Sequence, residues 1–226
     1  MDMDRDGIVA RLATLHSSVE AMRRMPAYEV LQWRIYRLPR AQLARLDGPL
    51  PGRGDNPPFL IPPALRPFYQ VVARWELSWI YHEPSRLDGL LPMGQSFLTG
   101  PDDLYDVVDA DAGDLAYGEG YHLFDIIDNE REVMLRFHMG SDQPALYYRH
   151  VPSDTYHRLD LDVPTYIDLL LQCRALSPWQ EFFITTRGFR IDDKTARAFF
   201  DSLARLLPDA DPAHFRHERR HNRTYA

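Results

Sequence analysis

The chain has 226 residues, 45% of them hydrophobic and 26% charged, which places it among ordinary folded proteins and excludes wholesale disorder. Acidic residues outnumber basic ones 33 to 26, for a net charge of −7 and a pI near 5.7. A protein built on phosphate-backbone contacts shows a basic excess, so the balance argues against nucleic acid as the main partner and for a basic protein surface.

The N-terminus, Met1-Asp2-Met3-Asp4-Arg5-Asp6, is acidic where a secretory signal is basic, and no apolar run reaches membrane-spanning length. The expectation is a cytoplasmic protein without membrane contact. Ile8, Leu12, Leu15, Val19 and Met22 recur at helical spacing, and Pro26 ends the helix. Ala27 to Leu38 reads as a strand in which Leu31, Trp33 and Ile35 alternate with Gln32 and Arg34. Pro39 opens a short helix through Leu46, and the Gly- and Pro-rich run from Gly48 to Pro58 marks a loop or internal boundary.

Ile61-Pro62-Pro63-Ala64-Leu65 leads into a helix expected through Ala73, followed by an aromatic strand around Leu77–Tyr81. Further strands are predicted at Tyr121–Ile127, Val133–His138, Ala145–Arg149 and Tyr156–Leu159, separated by Asp-, Asn-, Gly-, Ser- and Pro-bearing turns. Val163 to Ala175 reads as a helix with Tyr166, Leu169, Leu170 and Cys173 on one face. Another helix is expected from Ser177-Pro178, with Ser177 as its cap. Asp192 caps a last helix carrying Ala196, Phe199, Phe200, Leu203 and Leu207, and a mobile basic tail is expected from Pro212. Three zones result: 1–56, a helix–strand extension; 57–184, the core; and 185–226, a C-terminal helix and tail, together forming one unit. The grouping of strands points to an α+β fold.

The chemical motifs are sparse. Cys173, the only cysteine, lies in an apolar run and reads as buried filler. Nucleotide-loop, nucleophile-elbow and zinc-helix signatures are missing, so no catalytic residue, metal or cofactor is assigned. Asp109-x-Asp111 starts like a calcium loop, but Gly120 stands where the bidentate glutamate is required. His214, His217 and His221 sit among arginines that oppose a divalent cation. The densest acidic stretch, 102–114, with tyrosines in and beside it, suits a basic protein surface. The candidate partner-binding residues are therefore Asp102, Asp103, Tyr105, Asp106, Asp109, Asp111, Glu119 and Tyr121.

From Ile61 to Phe183 the chain resembles the SMI1/KNR4 (SUKH) superfamily. The likeness is carried by the proline-led Ile61–Tyr69 and by Leu90-Leu91-Pro92. Gly118-Glu119-Gly120-Tyr121-His122-Leu123-Phe124-Asp125, the late pair Ala145–His150 and Thr155–Leu159, and the closing Asp162–Leu170 extend it. The resemblance implies a curved, mainly antiparallel sheet packed against helices, here with N- and C-terminal helical extensions. It also implies a non-enzymatic role as an immunity protein that silences a cognate bacterial toxin. An intracellular regulatory scaffold of the same type is the alternative, and a hydrolase using a carboxylate pair or a histidine is the third reading.

Overall fold

The five apolar residues spaced along α1 (Arg5–Arg23) all turn inward, and Asp6 in its first turn and Arg23 in its last complement the helix dipole. The computed structural model describes residues 5–48, 61–84, 87, 89–101, 104, 107–109, 121–136 and 143–216. Within these, β1 (Tyr28–Tyr36), β2 (Arg74–Tyr81), β3 (Met93–Leu98), β4 (Val107–Asp109), β5 (Tyr121–Ile126), β6 (Arg131–Arg136), β7 (Ala145–His150) and β8 (Thr155–Arg158) form one open antiparallel sheet. Its order is β1-β2-β3-β5-β6-β7-β8, with β4 continuing the line of β3 along the first half of β5. Short α2 (Arg40–Leu43) and α3 (Arg66–Tyr69) join the longer α1, α4 (Val163–Gln172) and α5 (Asp193–Leu206). The fold is α+β.

Residues of all three sequence zones share one hydrophobic cluster, running from Ile8 on α1 through the sheet to Phe215. Trp75, Trp79 and Trp179 are fully buried in it, and truncating a ring of that size to alanine costs about 3–5 kcal/mol. Trp179 packs against Tyr166, Phe183 and Phe215 at centroid distances of 4.9, 6.0 and 6.4 Å. The residues from Pro212 are therefore not a mobile tail as far as Arg216: a 3-10 turn, Pro212–Phe215, drives Phe215 into the core. His217 and His221 lie outside the described residues.

Several boundaries depart from the sequence expectation for identifiable reasons. Leu31 is 56% exposed, because a bulge between Val30 and Gln32 inserts it as an extra residue and hands the inward positions to Val30, Trp33 and Ile35. The helix entered at Ile61 stops at Tyr69, and the Ala73 amide instead donates to the Tyr36 carbonyl at 2.8 Å as β2 begins. α4 ends at Gln172 rather than Ala175, since Arg174 and Ala175 adopt φ of +49° and +59°. Ser177 caps nothing: the segment is a 3-10 turn, Trp179–Phe183, preceded by a cis Ser177–Pro178 bond. Asp192 caps α5 as expected, accepting from the Thr195 amide at 2.9 Å, and Asp162, not singled out in the sequence, caps α4 by accepting from the Thr165 amide at 2.8 Å.

The turn after α4 locks onto the sheet over a glycine. Trp79 Nε1 donates to the Arg174 carbonyl at 2.8 Å, and Gly94 bridges to Leu176 beneath it. A Cβ at Gly94 would lie 2.3 Å from Trp79 Nε1 and 2.6 Å from the Arg174 carbonyl oxygen, both held too firmly to yield. Gly94→Ala is expected to lower unfolding free energy by about 2–3 kcal/mol, read as a drop in urea midpoint. Gly48→Ala, whose Cβ would meet nothing nearer than 3.8 Å, should change it by no more than about 0.5 kcal/mol.

Candidate protein-contact surface

Strand parity in β5–β8 divides the sheet into two unlike faces. Val133, Leu135, Leu146 and Tyr148 point to the helical side and are buried. Tyr148 OH donates to Glu181 Oε1 at 3.1 Å, which ties that face to the Trp179–Phe183 turn. Burial raises the carboxyl pKa of Glu181, against the Tyr148 hydrogen bond and the Arg131 charge.

The other face is built from the intervening residues. Tyr121 pairs with Arg136, Met134 with Tyr147, Tyr147 with Arg158, and Arg149 with Tyr156, and direct cross-strand partners share a face. Tyr121 and Tyr156 stack at 4.2 Å between centroids, and Tyr147 meets Tyr121 edge-on at 5.1 Å. Arg136 lies over Tyr121 at 5.2 Å and Arg149 over Tyr156 at 5.4 Å. Arg149 is held by Glu132 at 3.2 Å and Asp154 at 2.9 Å, which fixes its planar fork. Nε of Arg136 is buried without an acceptor among the described residues. The result is a half-buried, pre-ordered tyrosine–arginine ladder, the composition that dominates protein-binding hot spots.

Of the eight residues expected to bind a partner, Tyr121 stands at the centre of this ladder. Asp109 is its backbone partner across β4–β5. Asp102, Asp103, Tyr105, Asp106, Asp111 and Glu119 lie outside the described residues. Sequence reasoning did not single out Arg136, Tyr147, Arg149 or Tyr156. In Leu146-Tyr147-Tyr148-Arg149 two tyrosines stand side by side, and only the register shows that Tyr148 is inward and Tyr147 outward. β3 and β4 were likewise not read, since neither carries a clear apolar alternation.

The remaining polar groups do different work. Asp125 is fully buried and accepts from Tyr166 OH at 2.6 Å, Ser96 Oγ at 2.8 Å and the Phe97 amide at 3.0 Å. Ser96 in turn accepts from Trp75 Nε1 at 2.9 Å. His122 is buried with Nδ1 against the Leu104 carbonyl, and burial lowers its pKa. His150 Nδ1 meets Ser153 Oγ at 2.8 Å, but Thr155 Oγ1 donates to the same oxygen at 2.9 Å, so the group closes an exposed turn. Cys173 is buried and its thiol pKa is pushed far up by burial.

A groove of about 540 Å³ runs between α1 and β1, lined by Val9, Leu12, Ile35 and Val71 with His16 and Trp33. There Trp33 Nε1 donates to His16 Nδ1 at 3.0 Å, and the carboxylate of Glu20 is taken by Arg23 at 2.6 Å. Among the described residues no three His, Cys, Asp or Glu side chains gather as a metal centre requires, and no helix is long and apolar enough to cross a membrane. No family model, curated protein or solved structure matches the chain.

Asp125 makes the fold pH-sensitive in a definite direction. Burial pushes its carboxyl from 3.8 to about 6, with the hydrogen bonds from Tyr166, Ser96 and the Phe97 amide opposing the rise. The unfolded chain therefore ionises first. The stability this group contributes is complete below pH ~4 and is lost as pH rises to ~6, an effect on the order of 3 kcal/mol. Urea midpoints of the wild type and Asp125→Asn measured from pH 4 to 7 should show this decline in the wild type only, as the difference between the two curves.

Proposed function

We propose that this chain is a non-enzymatic protein-binding module that neutralises a cognate bacterial toxin, an immunity protein of SMI1/KNR4 type, acting in the cytoplasm. The observation that carries the reading is the ladder of Tyr121, Tyr147 and Tyr156 braced by Arg136 and Arg149 on the face opposite the helices. Stacked rings and the fixed guanidinium fork of Arg149 lose little entropy on binding, so they supply affinity. The acidic run of the sequence, whose Asp109 pairs with Tyr121 through the backbone, supplies steering toward a basic toxin domain. The toxin is silenced by occlusion of its active site or substrate groove. The groove against α1 supports a binding role over a hydrolytic one: its histidine and its glutamate are already engaged by Trp33 and Arg23.

The test is capture from the native host with mass spectrometry, followed by assay of the captured enzyme. Stoichiometric wild-type protein should abolish its toxic activity. Tyr121→Ala combined with Tyr156→Ala should weaken the complex by about a hundredfold or more while leaving the fold intact by circular dichroism. Reversing Asp106, Asp109 and Asp111 to lysine should slow association about tenfold and flatten its salt dependence, with little change in dissociation. An unchanged complex in both variants, or turnover of a substrate by the purified chain itself, would overturn the reading.

A further inference from the structure

β1 is one end of the sheet, paired to β2, and among the described residues no strand lies along its other side. A nine-residue edge presents a row of main-chain donors and acceptors that a further strand can take up. Beside it, the groove against α1 leaves Val9 47% exposed, and Leu31 projects from the bulge. An unpaired edge and an exposed leucine thus coincide on β1, a strand that also lines the groove through Trp33 and Ile35.

The bulge determines what fits there. In a regular strand, residues an odd number of positions apart lie on opposite faces, so Glu29 and Arg34 would point to different sides. The extra residue at Leu31 shifts that phase. Glu29 and Arg34 stand opposite Ile80 and Glu76 on the outer face, while Val30 and Trp33 stand opposite Trp79 and Leu77 on the helical face. Cross-strand partners must share a face and a hydrogen-bonding phase. Strand β1 satisfies both conditions against its own antiparallel copy when the two-fold axis falls between Leu31 and Gln32. Glu29 then meets Arg34 twice over, Val30 meets Trp33, and Tyr28 meets Ile35. The charged positions and the apolar positions flanking the bulge are self-complementary, as an isologous interface demands, and Leu31 of each copy lies against Gln32 of the other at the axis.

We propose that two copies of this chain associate through antiparallel β1–β1 pairing, continuing the sheet across a two-fold axis with Glu29 of each protomer against Arg34 of the partner subunit. The pairing covers the outer edge of β1. It leaves the tyrosine–arginine ladder, on strands at the far end of the sheet, free in each protomer. The proposal is independent of the toxin-binding reading. A single strand pair buries less than the ~800 Å² per partner of a typical stable complex, so association is concentration-dependent.

Sedimentation equilibrium of the full chain over roughly 1–200 µM tests it, with the mass expected to move from 26.3 kDa toward twice that value. Glu29→Arg and Arg34→Glu each set like charges against each other at both ends of the interface and should weaken the dimer about tenfold. The double variant restores the pairs with signs exchanged and should return to within about threefold of wild type. Hydrogen exchange on the unaltered protein is the second readout: amide protection in the Gln32–Tyr36 stretch should rise with concentration. Tyr121→Ala with Tyr156→Ala should dimerise normally, which separates this interface from the ladder. A monomer at every concentration, a dimer indifferent to either single reversal, or a folded double variant that fails to recover would each overturn the proposal. So would β1 amides that gain protection only when a foreign protein is added, since the edge would then belong to that partner.

Discussion

The buried carboxylate of Asp125 is the interaction on which the architecture turns. It collects a hydroxyl from α4, a hydroxyl and an amide from β3, and through Ser96 the indole N–H of Trp75 on β2. Gln180 reaches the same Tyr166 oxygen at 3.4 Å from the following 3-10 turn. Isolated in an apolar interior, an ionised carboxyl is expensive, and what makes it tolerable is three donors that arrive from two separate segments of chain, α4 and β3. The network therefore forms only when strand order and helix placement are both correct. It selects one arrangement of the layers over others that would bury similar apolar area.

Two single-residue irregularities in the sheet decide its surface. The register of β5 against β6 shifts between Leu123 and Asp125. Without that shift, Tyr121, Leu123 and Asp125 would share a face. With it, Asp125 enters the core while Tyr121 joins Arg136 and Tyr156 outside. The shift in β1 at Leu31 does the same for Glu29 and Arg34. In both strands the extra residue converts a simple inside–outside alternation into two blocks of opposite phase. The interior remains filled, and the consequence appears on the exterior, where residues distant in the alternation become neighbours.

The N- and C-terminal zones belong to the same core because of the turn after α4. Arg174 donates to Ser18 Oγ on α1 at 2.6 Å and to Asp209 at 2.7 Å, while its carbonyl accepts from Trp79. One residue in a left-handed conformation thus joins the first helix, the central sheet and the segment after α5. The Arg174 hydrogen bond holds the carboxyl of Asp209 below the usual carboxylate range, an anion stabilised by its partner. The paired charge and the buried rings of Phe199 and Phe215 together fasten the C-terminal zone to the rest.

Much of this was written locally. The helical spacing of Ile8 to Met22, the cap Asp192, and the turn-bounded β-like runs of β5 to β8 each depend on residues within a few positions of one another. Local propensity and period therefore sufficed to establish those elements and the α+β class. The candidate surface was only partly legible: Tyr121 and Asp109 stood out by composition, yet the ladder around Tyr121 comes from strands ten to thirty-five residues further on. Tyr147 and Tyr148 are indistinguishable by type, and only pairing with β6 and β8 assigns one to the interior and one to the exterior. The bulges, the burial of Asp125 and the packing of Phe215 were decided at the tertiary level for the same reason. Each resolves a competition for hydrogen-bond donors or core volume between segments far apart in the chain, and no local pattern encodes which segment prevails.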